Sequence, residues 1–149
     1  MKDIKWKILL IPVLIGVLLY IANSTLLKIV FTLWPATITL TFGRGSWWLD
    51  EGWFVKAVYV GLIAPLIEEL FFRRIILQHF IFRRQATLGL IVSSLTFGLY
   101  HMAFGWGVGK TVDMIIVGLV FGLLYMKYGF RGSLLAHYAN NACAVAAML

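Results

Sequence analysis

Residues 64–74 read Ala64-Pro65-Leu66-Ile67-Glu68-Glu69-Leu70-Phe71-Phe72-Arg73-Arg74, so two adjacent acids and two adjacent arginines lie within a strongly apolar chain. A charged side chain at the centre of a bilayer costs about 2.5–3.5 kcal/mol on insertion scales. Four such groups close together must therefore pair with one another, line a wet cavity or take part in chemistry.

The composition of the whole chain is that of a membrane protein of one domain. Its 149 residues are 62% hydrophobic and 13% charged, whereas soluble domains are about 45–50% apolar and about 25% charged. The net charge of +7 does not indicate nucleic-acid binding, because the lysines and arginines fall in small groups between apolar runs. That distribution is typical of cytoplasmic loops. The single cysteine, Cys143, excludes a disulfide within the chain.

Apolar runs predict an all-α fold, a polytopic bundle of about five transmembrane helices. The predicted helices cover Ile8–Trp34, Val55–Phe82, Ala86–Phe104, Thr111–Tyr128 and Leu134 to the C-terminus. The first is longer than the roughly 20 residues that a bilayer needs, so it tilts, breaks near Asn23 or ends in the interface. Glycines, charges and tryptophans predict an interfacial loop at residues 35–56. Ser133 is a plausible N-cap of the last helix.

The distribution of basic residues predicts a cytoplasmic N-terminus, because the positive-inside rule favours the side that holds more of them. Five alternating spans then place nine basic residues on the cytoplasmic side and three outside. The nine are Lys2, Lys5, Lys7, Arg73, Arg74, Arg83, Arg84, Lys127 and Arg131, and the three are Arg44, Lys56 and Lys110.

Helical spacing predicts different positions for the two acids of the charged cluster. Glu69 and Arg73 are four residues apart, so they share a helix face and can form an ion pair. Glu68 is rotated about 100° from Glu69 and is free to face a cavity. The predicted turn at Arg83-Arg84-Gln85 is centred between Arg84 and Gln85, and Glu68 lies as many positions before that point as His101 lies after it. Two antiparallel neighbouring helices would therefore hold Glu68 and His101 at one height.

Two further pairs of polar or aromatic residues have helical spacing. Phe97 and His101 share one face, and His137 and Asn141 share another, whereas Asn140 is expected to point elsewhere.

A common site for His101 and His137 requires the two residues to lie at a similar depth in the membrane. Upright helices would separate His137 from His101 by about 10–15 Å. Tilted helices, or a loop at Gly105–Gly109 that dips into the bilayer, would be needed to close that gap.

The segments Glu68-Glu69-x-x-x-Arg73, Phe97-x-x-x-His101 and His137-x-x-x-Asn141 occur in this order on consecutive predicted helices. In order and spacing they resemble the three motifs of the CPBP intramembrane proteases. That family includes the CAAX prenyl endopeptidases of the Rce1 type and bacterial proteins linked to bacteriocin processing or self-immunity. The resemblance implies a protease core at residues 55–149, after an N-terminal helix and interfacial loop at residues 1–54. It also implies an integral protein of a prokaryotic plasma membrane.

The resemblance implies a role for each motif residue. Glu68 with His101 would activate a water for attack on a peptide carbonyl, and His137 with Asn141 would stabilise the oxyanion. Glu69, Arg73 and Phe97 would support the site. The implied substrate is a membrane-associated peptide or lipidated protein. We predict that the site opens toward the cytoplasm.

The metal content is left open by the sequence. Glu68, His101 and His137 are legitimate zinc ligands, and three ligands with a water would make a catalytic site. No His-Glu-x-x-His helix is present in the sequence. The resemblance fits either one divalent metal such as zinc or a water activated by Glu68 and His101 alone, and we favour the second.

Two other classes of function remain open. The acids and arginines could form a purely structural salt-bridge cluster, in which case the protein would be a non-catalytic immunity or scaffold protein. Intramembrane Glu and His residues also form ion relays in carriers. The carrier is disfavoured, because the sequence contains no internal repeat.

Overall fold

The computed structural model describes residues 3–33 and 51–148, and every regular element within them is a helix, which confirms the predicted all-α class. The predicted interfacial loop lies mostly outside the described residues. The four helices are α1 (Asp3–Leu33), α2 (residues 53–82), α3 (Ala86–Ala103) and α4 (Val108–Ala146).

Three described segments are long and apolar enough to cross a membrane, namely Leu9–Ile29, Ala86–Ala103 and Val108–Ala146. They lie in α1, α3 and α4, and they mark the chain as an integral membrane protein. Helix α2, which contains the charged cluster, is not among them. The total of about five spans therefore stays a prediction.

Helix α1 runs unbroken through Asn23, although the sequence allowed a break there. It packs along the second half of α4 at very short range. A Cβ atom added to Gly16 would lie 2.1 Å from the backbone oxygen of Ala136, and one added to Gly132 would lie 3.5 Å from Pro12. The two helices run in the same direction, since Pro12 faces Gly132 and Gly16 faces Ala136.

Helix α2 has the predicted extent but not the predicted regularity. Lys56–Ile63 and Glu69–Leu77 are π-helical, and the α-helical segment Ala64–Glu68 lies between them. A π-helix places more residues in each turn than an α-helix and is frequent at functional sites. The second wide segment begins at Glu69, inside the charged cluster, so the cluster lies at a junction between two helical geometries.

The turn between α2 and α3 is the predicted one. The N–H groups of Arg84 and Gln85 donate to the carbonyls of Ile81 and Phe80, both at 2.9 Å. Arg84 has a φ of 60°, an uncommon conformation for a residue other than glycine. The pairing of α2 with α3 on which the height argument depended is therefore present.

Helix α4 reverses its direction at Gly129, where φ is 70° and ψ is −170°. Phe121 and His137 lie sixteen residues apart, which would be about 24 Å along a straight helix. Their rings are instead stacked with centroids 4.4 Å apart. Helix α4 consequently has two antiparallel arms, a first arm at residues 108–128 and a second arm at residues 130–146.

The second arm corrects two sequence predictions. The predicted break at residues 129–132 is confined to Gly129, because glycine accepts a left-handed φ without steric cost. Ser133 lies inside the helix and is not an N-cap. Its side chain is fully buried and donates to the carboxylate of Glu69.

Candidate active site

The carboxylate of Glu69 is the centre of a buried polar network. Its Oε1 accepts a hydrogen bond from Nδ1 of His137 at 3.0 Å and lies 3.5 Å from Nη1 of Arg73. Its Oε2 accepts from the hydroxyl of Ser133. Glu69, Arg73 and Ser133 have no exposed surface. The ion pair that the i, i+4 spacing predicted is present, and the second arm of α4 adds two partners to it.

Arg73 lies in the protein core and is not one of the cytoplasmic charges among which the sequence counted it. Its guanidinium lies over the ring of Phe97 at 4.5 Å and near that of Phe121 at 5.7 Å. One nitrogen donates to the backbone carbonyl of Gly118 at 3.1 Å. The aromatic faces and the Glu69 carboxylate offset part of the cost of burying this charge.

Glu68 differs from its neighbour in facing a cavity. It is 8% exposed, and its Oε2 lies 3.5 Å from Nε2 of His137. The His137 ring therefore lies between two carboxylates, with Nδ1 on Glu69 and Nε2 toward Glu68. The sequence paired Glu68 with His101, and the contact between Glu68 and His137 was not anticipated.

His101 lines the same cavity from α3. Its Nδ1–H donates to the backbone carbonyl of Phe97 at 2.8 Å. Because a carbonyl can only accept, this hydrogen bond places a proton on Nδ1 and leaves the Nε2 lone pair of the neutral ring unused. The Phe97 ring lies 4.7 Å from the His101 ring and 6.0 Å from the His137 ring. Both histidines thus contact one side chain, and the depth gap expected for upright helices is closed.

Asn141 completes the group of predicted catalytic residues. Its Nδ2 donates to the backbone carbonyl of Val60 at 2.9 Å, and its Oδ1 accepts from Nδ2 of Asn140 at 3.1 Å. One N–H of the Asn141 amide is left for another acceptor. Asn140 also lines the cavity, contrary to the expectation that it points elsewhere.

The cavity has a volume of about 370 Å³ and brings the four predicted catalytic residues together with Phe97. Its other lining residues are Tyr20, Asn23, Ser24, Leu27, Tyr59, Val60, Ala64, Tyr100, Phe104, Trp106, Lys110, Met114, Val117, Asn140, Ala144, Ala147 and Met148. The four residues of α1 were missed, although their i, i+3, i+4, i+7 spacing would have marked one helix face.

The cavity occupies the half of the bundle remote from the Arg83–Arg84 turn and from Gly129, since it reaches Phe104, Trp106 and Met148. With a cytoplasmic N-terminus, the two turns lie on the cytoplasmic side and the cavity on the outer side. The cytoplasmic N-terminus and the opening toward the cytoplasm both stay predictions. The position of the cavity along the helices could not be counted from the sequence.

The described residues contain no group of three or more His, Cys, Asp and Glu side chains arranged to hold a metal ion. The candidate ligands were Glu68, His101 and His137. Nδ1 of His137 donates to Glu69 and Nδ1 of His101 donates to a backbone carbonyl, so the Nε2 atoms of the two rings are the ones that could reach a metal. Hydrogen bonds of this kind also orient metal-ligating histidines, but Glu68, His101 and His137 do not form a group that could hold a metal ion in this arrangement.

Comparisons with known proteins place the chain in a family. A sequence model described as type II CAAX prenyl endopeptidase Rce1-like matches residues 50–143, a range that includes every predicted site residue and excludes α1. No curated protein and no solved structure matches the chain. The match supports a CAAX-protease-type function in general. The chain belongs to the Rce1-like family of type II CAAX prenyl endopeptidases.

Proposed function

We propose that this protein is an intramembrane endopeptidase that hydrolyses a peptide bond of a membrane-associated peptide or lipidated protein. The observation that carries the proposal is the cavity in which Glu68, His101, His137 and Asn141 meet within an apolar helical bundle. A carboxylate, two imidazoles and an amide supply a base, an acid and hydrogen-bond donors, which are the groups that amide hydrolysis needs.

In the proposed reaction a water bound between Glu68 and His101 attacks the carbonyl carbon of the scissile bond. Its proton passes to the Glu68 carboxylate or to the unused Nε2 of His101. The carbonyl oxygen becomes an oxyanion, and the remaining N–H of Asn141 donates to it. When the tetrahedral intermediate collapses, the C–N bond breaks and the leaving amine takes up the proton held by the enzyme. General-base assistance of this kind contributes about 10²–10⁴-fold.

His137 and its partners have a second part in the proposal. Because Nδ1–H of His137 donates to Glu69, Nε2 is the nitrogen available to the substrate oxygen. It donates there when the ring carries a second proton. Glu69 and Arg73 act as positioning residues, since they hold His137 and do not line the cavity. The proposed mechanism uses no metal.

The proposal is tested with purified protein, a library of labelled apolar peptides and the Glu68→Gln variant. This substitution keeps the size of the side chain and removes its basic carboxylate. We expect cleavage to fall by at least about 10²-fold while thermal stability in detergent stays near that of the wild type. Glu51→Gln is the matched control, because Glu51 is exposed and lies outside the cavity.

The same experiment separates catalysis from the role of an immunity or scaffold protein. Full peptidase activity in the Glu68→Gln variant would contradict the assignment of Glu68. Two results together would favour the non-catalytic role. The wild-type protein would cleave no peptide of the library, and a variant with Glu68 and His101 both replaced would still protect cells.

A further inference from the structure

One wall of the cavity comes from α1, outside the matched range 50–143. Its four residues are Tyr20, Asn23, Ser24 and Leu27, and they follow one face of the helix. The intervening Ile21, Ala22, Thr25 and Leu26 are exposed on the outside of the bundle. Helix α1 therefore presents one polar face to the cavity and an apolar face to the surroundings.

This wall continues the close packing between α1 and the second arm of α4. At Gly16 and Ala136 the two backbones are almost in contact. Farther along, larger residues on both helices line the cavity instead, Tyr20 on α1 and Asn140 on α4. The small residues set the position of α1, so its polar face is held against the same space that Glu68 and His137 border.

Asn23 and Ser24 are unusual within their segment. The segment Leu9–Ile29 has a mean hydropathy of 2.1, and polar side chains within such segments typically face the protein interior and mark functional sites. Both are half-buried, and neither has a hydrogen-bond partner in residues 3–33 or 51–148. Both side chains line the cavity, so a molecule in the cavity can reach their polar groups. Both side chains can therefore bind a ligand that offers donors and acceptors.

The chemistry of that ligand follows from the side chains. The Asn23 amide offers both a donor and an acceptor, as does the Ser24 hydroxyl. A peptide bond has the complementary pair, and an extended chain repeats it about every 3.3–3.4 Å. We propose that Asn23 and Ser24 form a subsite that binds the backbone of an extended peptide substrate. This inference rests on the proposed function and extends it, because the subsite would select the backbone without regard to side-chain identity.

The test uses a binding measurement that does not need cleavage. The probe is an N-acetylated apolar hexapeptide with a photoreactive diazirine, added to the full chain in detergent with Glu68→Gln to prevent turnover. We expect Asn23→Ala and Ser24→Ala each to raise the probe concentration needed for half-maximal crosslinking by about three- to tenfold. This is the loss of affinity that removing one hydrogen bond produces. Thr25→Ala is the matched control, since Thr25 is adjacent in sequence but exposed. It should bind the probe as strongly as the parent.

A second probe distinguishes backbone binding from general cavity shape. In this probe esters replace the central amides, which removes their N–H donors. The parent protein should bind it more weakly than the amide probe, and Asn23→Ala should bind the two probes alike. The subsite would be overturned if the Asn23→Ala variant still preferred the amide probe over the ester probe as strongly as the parent protein does. It would also be overturned if neither probe crosslinked to the parent protein.

The two proposals fail in different ways. If Asn23→Ala raises KM for a cleaved peptide and leaves kcat and thermal stability unchanged, both proposals are supported. If the peptide is cleaved but KM and crosslinking are unaffected in Asn23→Ala, the subsite fails and the peptidase stands. If the amide probe binds as expected but no peptide is cleaved by the wild type, the subsite stands and the peptidase fails.

Discussion

Nδ1–H of His137 donates to the carboxylate of Glu69 at 3.0 Å and so joins two residues that are 68 positions apart in the chain. The same carboxylate pairs with Arg73 and accepts from Ser133. One buried acid therefore holds the charged segment of α2 against the second arm of α4. It also leaves Nε2 of His137 directed at the second acid, Glu68.

Neutralising Glu69 alone is expected to lower the free energy of unfolding more than neutralising Glu69 and Arg73 together. Glu69→Gln leaves the Arg73 guanidinium buried and unpaired, which costs about 3–5 kcal/mol. The double variant Glu69→Gln/Arg73→Met leaves no unpaired charge and should recover part of that loss. Thermal or denaturant unfolding in detergent measures both. Equal stability of the single variant and the wild type would contradict the role given to Glu69.

Asn141 is expected to contribute to kcat as an oxyanion donor. Asn141→Ala should lower kcat by about 10²–10³-fold, the usual effect of losing one such donor. Asn140→Ala removes the hydrogen bond to Asn141 Oδ1 and part of the cavity wall. It should have a smaller effect of about tenfold or less, because a single hydrogen bond contributes about 0.5–1.5 kcal/mol. Initial rates with one cleaved peptide test both, and an Asn141→Ala enzyme with normal kcat would exclude this donor.

Chelators are expected to leave cleavage unchanged, because the proposed mechanism uses no metal and the described His, Cys, Asp and Glu side chains form no group of three that could hold one. The measurement is the cleavage rate before and after dialysis against EDTA and 1,10-phenanthroline, together with elemental analysis of the purified protein. Activity that disappears with the chelator and returns with one equivalent of zinc would refute the metal-free mechanism.

Gly16 is expected to tolerate no side chain. A Cβ atom there would lie 2.1 Å from the backbone oxygen of Ala136, so Gly16→Ala must push α1 away from the second arm of α4. Overpacking of this kind typically costs about 1–3 kcal/mol. Gly61→Ala is the control, since an added Cβ there meets nothing within 4 Å. Thermal unfolding in detergent should separate the two variants, and equal melting temperatures would contradict the close packing.

Features that depend on neighbours along the chain were predicted from the sequence. The helical class, the turn at Arg83–Arg84 and the ion pair between Glu69 and Arg73 all follow from apolar run length or i, i+4 spacing. The π-helical segments of α2 were not predictable in this way, because a change in residues per turn has no simple signature in the spacing of apolar residues.

The sequence by itself determined that this is a helical membrane protein whose acids, arginines and histidines recur at helical spacing, since both properties are local. Only the tertiary structure decided that His137 lies between Glu68 and Glu69, that α1 supplies a polar wall, and that the cavity lies away from the basic turns. The physical reason is that these relations depend on how helices tilt and reverse. The reversal at Gly129 and the close approach of Gly16 to Ala136 set those positions. The spacing of residues within a single helix predicts neither of them.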